Sequence, residues 1–354
     1  APSATPSQNF TQIIQGGTYT TNPAGDATAS NQIGGDTKGY NLSVNTQSFP
    51  FASSTSGTSI MTQPNWHNGI SQYNGANAHS TTHAYYGGGY NNPPGSAVGN
   101  VIQKFPFASE DAYSDVGDLT ASRVHVAGIS STTHGYAAGG WPPTSDVIDK
   151  YAFASDGNAT DVGDLTQARS SGAGTYSSTH GYTHGGQNPA PTGRNEIDKF
   201  PFAVDGNATD VGDLTRSISN TSGSSSTTHG YRVGGGLPMV DEIEKYSFTS
   251  DGDATDVGDM QHGPPHTNRQ ASGNQSSTHG YTSSGMFGSG SSSPAGVYKT
   301  NIGSFPFASD TNGTKVGDLI TGRRLTGGTS STVSGYTAGG QTVPGAASKN
   351  EIEK

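Results

Sequence analysis

The sequence predicts an all-β fold, a seven-bladed β-propeller of four-stranded blades, and three observations predict it. One short segment recurs along the whole chain, at intervals of roughly 45 to 55 residues. Within each copy, turn-forming residues divide the segment into four short β-prone runs. The ends also look complementary: the last residues read as a strand without a partner, and residues 11–20 read as a strand without a blade.

Composition agrees with closely stacked sheets and excludes other classes. The chain has 354 residues, 29% hydrophobic and 12% charged, with 53 Gly and no Cys. Leu, Ile, Val and Phe together make up only roughly 14% of it, a level that warns of disorder. A disordered chain would also carry many charges; this one instead keeps 16 Tyr and 12 Phe at regular positions. The net charge is -10 with 17 Lys+Arg and no basic run, so nothing favours nucleic-acid binding. No stretch approaches the ~20 apolar residues of a membrane-spanning helix. Without cysteine there is neither a disulfide nor a thiolate metal site. The chain starts at Ala1 and carries no visible signal peptide.

The repeat reads Ser-Ser-Thr-His-Gly-Tyr-x-x-Gly-Gly, a loop, Glu-Ile-Asp-Lys-Phe-Pro-Phe-Ala, then Asp-Gly-Asn-Ala-Thr-Asp-Val-Gly-Asp-Leu-Thr. Its Gly-Tyr pair falls at Tyr136, Tyr182, Tyr231, Tyr281 and Tyr336, with weaker copies at Tyr40 and Tyr85, seven in all. In the copy around Tyr182 we expect strand a over 169–176, b over 182–185, c over 195–202 and d over 208–214, with turns at 179–181 and 205–207. Two-residue alternation puts Ile197 on one face of strand c and Phe200 and Phe202 on the other, so both faces are apolar, as in a blade between two blades. Pro201 lacks an N–H, which predicts a bulge or irregular pairing there. Residues 350–354 form a strand c with no strand d after it. The stretch 11–20, following an N-terminal extension at 1–10, would supply that strand and close the ring, leaving no free edge in a single domain over 1–354. In the alternative, the chain continues past Lys354 and the ring is not closed here.

The Arg, Gly-Tyr-x-x-Gly-Gly and Ile-x-Lys-Phe/Tyr pattern resembles the kelch repeat over nearly the whole chain, departing from it where Val-Gly-Asp-Leu stands in place of the usual Trp. The particular wording, Ser-Thr-His-Gly-Tyr with Phe-Pro-Phe-Ala-Ser-Asp-Gly-Asn-Ala-Thr-Asp-Val-Gly-Asp-Leu, is similar to repeat proteins of marine bacteriophages, including virion and tail-fibre proteins of cyanophages. That second resemblance implies a virion setting.

Several residue sets carry candidate chemistry. His83, His134, His180, His229 and His279 occupy equivalent positions; a metal ring is one reading, but blade-equivalent positions lie too far apart to converge on one ion, so turn-stabilising residues are expected. The loops Asp156–Asp161, Asp205–Asp210 and Asp251–Asp256 alternate oxygen side chains like the start of a calcium site but lack its later Glu, so polar hairpins are expected over a calcium cofactor. Asp118/Arg123, Asp164/Arg169, Asp213/Arg216 and Asp318/Arg323 recur between strand d and the next strand a, and are expected to pair and pin that connection rather than form an anion-binding ring.

No catalytic set rises above the repeats, and galactose oxidase, which also uses kelch blades, needs a Cys–Tyr crosslink that this chain lacks. The b–c loops, by contrast, differ in every copy, and Gln261–Asn268 adds an insertion before a strand a; both loop types open on one propeller face. There Tyr90, Trp141, Arg194, Met239 and Phe287 are the candidate ligand-binding residues. We therefore expect a non-catalytic module of a virion appendage or extracellular surface, whose partner is a host-surface glycan or protein or another virion protein. The alternative is a secreted carbohydrate-binding propeller of a cell.

Overall fold

The computed structural model describes residues 20–21, 27–28, 41–42, 59–61, 76–90, 98–108, 114–236, 239–261, 269–287, 297–342, 347–348 and 352–354. These contain strands and turns and no helix. The chain divides into two compact units, Ala1–Thr46 and Gln47–Lys354, where one domain was expected. In the first, Thr20–Thr21, Ala27–Thr28 and Asn41–Leu42 pair as a three-stranded antiparallel sheet. The second is a β-propeller.

Among the described residues, six groups of four antiparallel strands make up the propeller, not the expected seven. Blade one holds Ala76–His79, His83–Tyr90, Val98–Pro106 and Ser114–Asp118. Blade two holds Ala127–Ser130, His134–Gly140, Ser145–Ala152 and Thr160–Asp164. Blade three holds Ala173–Tyr176, His180–His184, Arg194–Pro201 and Thr209–Ile218. Blade four holds Ser222–Ser225, His229–Gly235, Val240–Ser247 and Thr255–Gln261. Blade five holds Ser272–Gln275, His279–Ser283, Asn301–Pro306 and Gly313–Asp318. In blade six, Gly327–Ser330, Gly335–Ala338 and Ile352–Glu353 are completed by Ser59–Met61.

Closure differs from the expected pairing with residues 11–20: Ser59–Met61 supplies the fourth strand of the last blade. Ile352 pairs with Met61 and Glu353 with Ser59, so the edge reserved for residues 11–20 is occupied. Thr20 pairs instead with Thr28, and residues 1–19 lie outside the described set. The copy at Tyr40 is divided between the two units: Tyr40 falls within Ala1–Thr46, whereas Ser59–Met61, between the Tyr40 and Tyr85 copies, completes blade six. Packing also closes the ring: Phe107 of blade one stacks on Tyr336 of blade six, with ring centroids 5.0 Å apart.

That contact is one of a series. The Tyr of strand b stacks on the last aromatic residue of the next blade's strand c: Tyr85 on Phe153, Tyr136 on Phe202, Tyr182 on Phe248 and Tyr231 on Phe307, at 4.7 to 5.0 Å. Around each pair lies a small inter-blade core, such as Ile129, Tyr136, Ile148 and Leu165 against Phe200 and Ala208. This explains how so few aliphatic residues suffice: the apolar surface is buried as aromatic rings between sheets that Gly, Ala and Ser allow to approach.

The Asp-Gly-Asn and Val-Gly-Asp motifs are two halves of an outer clasp. The backbone N–H of Asp118, Asp164, Asp213 and Asp259 donates to a side-chain oxygen of Asn158, Asn207, Asp253 and Asn312 in the following blade, each at 3.0 Å. The carbonyls of Asp118, Asp164 and Asp213 accept from Ala159, Ala208 and Ala254 at 2.7 to 2.8 Å. Gly163 adopts φ +151°, and a Cβ there would lie 2.4 Å from the carbonyl oxygen of Gly206, so only glycine fits the clasp. Lys104, Lys150, Lys199 and Lys245 add ion pairs to Asp156, Asp205, Asp251 and Asp310 at 2.5 to 2.8 Å.

Two local expectations change. Arg123 and Arg169 pair with strand c carboxylates, Asp149 at 2.5 Å and Asp198 at 3.0 Å, not with Asp118 and Asp164. Likewise Arg216 pairs with Glu242 and Arg323 with Glu353, not with Asp213 and Asp318. The strand d aspartates sit at the rim, whereas Arg123, Arg169 and Arg323 turn into the blade, where each also donates to backbone carbonyls. Pro201 carries no bulge: it pairs in register with His180, and strand d reaches only as far as Lys199, so no partner on that side requires its N–H. The register shifts lie between strands c and d, on either side of Glu196.

Candidate functional site

Strand a is the innermost strand of every blade, and its free edge faces the propeller axis. Gly128, Gly174, Gly223, Gly273 and Gly328 line that axis with Asn77, enclosing a cavity of about 120 Å³. A Cβ at Gly174 would lie 2.2 Å from the carbonyl oxygen of Gly128, so bare backbone sets the channel's width. The lining is chiefly peptide and hydroxyl groups, suited to water or a small polar group.

At one end, the residue two positions before strand a takes a left-handed conformation in five blades: His125, Ser171, Asn220, Gln270 and Leu325, with φ between 55° and 59°. Non-glycine residues seldom adopt it. Here each is held by its neighbour. Ser171 N–H donates to His125 O, Asn220 to Ser171, Gln270 to Asn220 and Leu325 to Gln270, at 2.8 to 3.1 Å. The result is a collar of backbone hydrogen bonds around the channel mouth, beside a second cavity of about 50 Å³.

The other end is plugged. The last residues of strand a alternate in size around the ring: His79, Ser130, Tyr176, Ser225, Gln275 and Ser330. Tyr176 OH lies 2.7 Å from His79 Nε2 and also bonds Gln275 Nε2, which joins blades one, three and five across the axis. The serine hydroxyls accept from their neighbours: His79 N–H to Ser130 at 2.9 Å, Tyr176 to Ser225 and Gln275 to Ser330 at 3.0 Å. Burial lowers the His79 pKa and raises that of Tyr176, so both stay neutral at pH 7. The channel is therefore closed at the a–b turns, and the collar surrounds it at the opposite end. Sequence reasoning missed both collar and plug, although aligning the six strands a shows the large–small alternation.

The five repeated histidines stand at the start of strand b, outside the channel. Each imidazole Nδ1 bonds the preceding threonine hydroxyl, from Thr82 for His83 through Thr133, Thr179 and Thr228 to Thr278 for His279, at 2.8 to 2.9 Å. The backbone N–H of each donates to a serine hydroxyl three residues earlier at 2.9 to 3.0 Å. Among the described residues, no group of three His, Asp or Glu is placed to hold a metal. The clasp uses oxygens of the loops that resembled calcium sites: Asn158, Asn207 and Asp253 accept backbone N–H groups.

The loop-face candidates divide into two kinds. Tyr90 is half-buried and meets His125 edge-on, with ring centroids 6.2 Å apart. Trp141 is 44% exposed while its backbone bridges Val124, so Tyr90 and Trp141 flank the collar segment of blade two. Arg194 is half-buried and paired with Glu196 at 3.2 Å. Met239 is half-buried in the turn before Val240. Phe287 pairs with Val297 in a short ladder on blade five, and its side chain lies outside the described set. Burial pulls the His125 imidazole down to about 4 and the Lys299 ammonium to about 8, the latter opposed by Asp241. No family model matches this chain, and no curated protein matches it.

Proposed function

We propose that this protein is a non-catalytic binding module whose channel-mouth face engages a surface glycan or protein, in the setting of a phage virion appendage such as a tail fibre. The observation that carries this reading is Trp141. It is the aromatic member of the exposed large hydrophobics among the described residues, and it stands beside the collar on the face whose loops differ from blade to blade. An exposed indole next to polar backbone suits stacking on a sugar ring or anchoring a protein contact. The rest of the repeated polar chemistry is committed to holding blades together: the strand c acids to arginines, and the Asp-Gly-Asn turns to the next blade. The kelch-like repeat and the phage-like wording of the sequence support the same setting.

The test is binding of the purified protein to glycan arrays and to whole marine bacterial cells, with Trp141→Ala as the variant. Loss of at least about tenfold in affinity supports adhesion. Equal binding by both proteins removes Trp141 from the reading, and turnover of an oxidase or glycosidase substrate overturns the non-catalytic reading. A secreted carbohydrate-binding propeller of a cell is the competing setting; genes for virion structural proteins beside this coding region favour the phage.

A further inference from the structure

Two of the eight arginines differ from the others. Arg123, Arg169, Arg194, Arg216, Arg232 and Arg323 each reach a carboxylate. Arg269 and Arg324 do not, among the described residues, although the chain has 27 Asp+Glu against 17 Lys+Arg. The insertions that flank this part of blade five, residues 262–268 and 288–296, contain no acid either.

Arg269 is only 8% exposed; its Nε is buried without a hydrogen-bond partner, as are those of the acid-paired Arg123 and Arg194, so what sets it apart is the missing carboxylate among the described residues. A Cβ at Gly236 of blade four would lie 2.8 Å from Arg269 Cδ; the matching bridge position carries Trp141, Gln187, Met286 or Gln341 in other blades. Arg324, at the equivalent place in blade six, has neutral hydrogen-bond partners among the described residues. Gln341 Oε1 is 3.2 Å away, Gln270 Oε1 3.5 Å and Met286 Sδ 3.1 Å, and its guanidinium lies over the Tyr298 ring at 5.2 Å. Burial, and after it the charge of Arg324, lower the pKa of Arg269. Arg269 and Arg324 thus both border Met286, Arg269 through its backbone bridge and Arg324 through its guanidinium, and each directly precedes a collar residue, Gln270 or Leu325.

Burying a charge without a counter-charge is costly, and a fold with this surplus of acid could have supplied one by a single substitution. A planar guanidinium is suited to gripping an oxyanion through two parallel N–H bonds. We propose that Arg269 and Arg324 form a binding site for an oxyanion brought by a ligand at the channel mouth. The shared chemistry is a carboxylate, sulfate or phosphate, carried on an acidic saccharide or free in solution. The site stands on its own geometry, and an acidic saccharide would in addition make it part of the binding face proposed above.

The test is titration calorimetry of the intact chain with sodium sulfate, sodium phosphate and sodium glucuronate, against sodium chloride at matched ionic strength. We expect saturable binding of at least one oxyanion, weakened roughly tenfold or more by Arg269→Gln and by Arg324→Gln. Arg324→Lys, which keeps the charge but loses the fork, falls between wild type and Arg324→Gln. Lys150→Gln, at the outer clasp, leaves affinity unchanged and separates the site from a net-charge effect. Glucuronate binding without glucose binding identifies a sugar carboxylate as a source, and binding of the inorganic anions alone identifies a free ion. Either outcome supports the site, whatever the glycan array shows. No saturable heat with any of the three anions overturns the proposal, as does equal affinity in wild type and a folded Arg269→Gln. If circular dichroism shows that Arg269→Gln is unfolded, Arg324→Lys decides: unchanged affinity overturns it.

Discussion

Blades three and five share the Thr-His-Gly-Tyr of strand b and the Phe-Pro-Phe of strand c, yet they hold together differently. In blade three, Asp198 is fully buried, paired with Arg169 at 3.0 Å, and accepts the N–H and hydroxyl of Thr166 at 2.8 and 2.7 Å. Lys199 reaches Asp251 in the next blade at 2.8 Å. In blade five, Gly303 stands where Asp198 would be and Ser304 where Lys199 would be. Asp318 turns back to Lys315 and Thr300, both at 2.8 Å, and Gly313 bridges Met260 of blade four in parallel. Aromatic rings and close-packed glycines therefore suffice to define a blade, while its ion pairs are supports. In blade five the flanking loops are also longer, and Arg269 has no acid partner among the described residues. Blade four shows the converse: Ile218 replaces the connecting arginine, and Arg232 reaches Glu244 from strand b at 2.6 Å instead.

Removing one partner of a buried pair should expose this difference most strongly. Arg169→Met leaves the Asp198 carboxylate buried without its counter-charge, and should cost about 3–5 kcal/mol of unfolding free energy in urea titrations. Arg269→Gln in blade five removes no ion pair and should change stability by less than about 1 kcal/mol without added oxyanion. Equal losses would erase the distinction between the two blades.

A smaller effect belongs to His184 of blade three. It is fully buried beside Tyr246, and burial first, then the charges of Arg232 and Arg169, pull its imidazole down to about 3. The unfolded chain protonates this group near 6.5, so its stabilising contribution is complete above that pH and is lost as pH falls toward 3. At about 1.4 kcal/mol for each pH unit, roughly 2 kcal/mol should be gone at pH 5. Denaturation midpoints measured between pH 7.5 and 5 should fall less in His184→Gln than in wild type; parallel curves would assign the acid sensitivity elsewhere. The smallest effect should come from the rim. Lys150 and Asp205 form a pair 2.5 Å apart in which Asp205 is half exposed, so Lys150→Met should cost no more than about 1 kcal/mol, and less in high salt.

Much of the blade was legible from local pattern. Strand a of blade three was expected at 169–176 and lies at Ala173–Tyr176; strand c was expected at 195–202 and lies at Arg194–Pro201. The face assignment also holds, with Ile197 in the core shared with Tyr182 and Phe200 in the core shared with Tyr136. The candidate site was legible only in part: Trp141 and Tyr90 could be placed on the loop face, whereas the arginine partners were assigned to the nearest acids in sequence and lie instead in strand c.

Two-residue alternation and turn chemistry act over a few neighbouring residues, so the sequence by itself determined strands, turns and the aromatic seams between blades. Blade number, the channel plug and the two arginines without an acid among the described residues were decided only in three dimensions. Which strand fills the last edge depends on competition among distant segments, and Ser59–Met61 took the place beside Ile352. The plug likewise joins His79 to Tyr176 across 97 residues and Tyr176 to Gln275 across 99. Contacts at such separations are set by ring geometry, which no local pattern encodes.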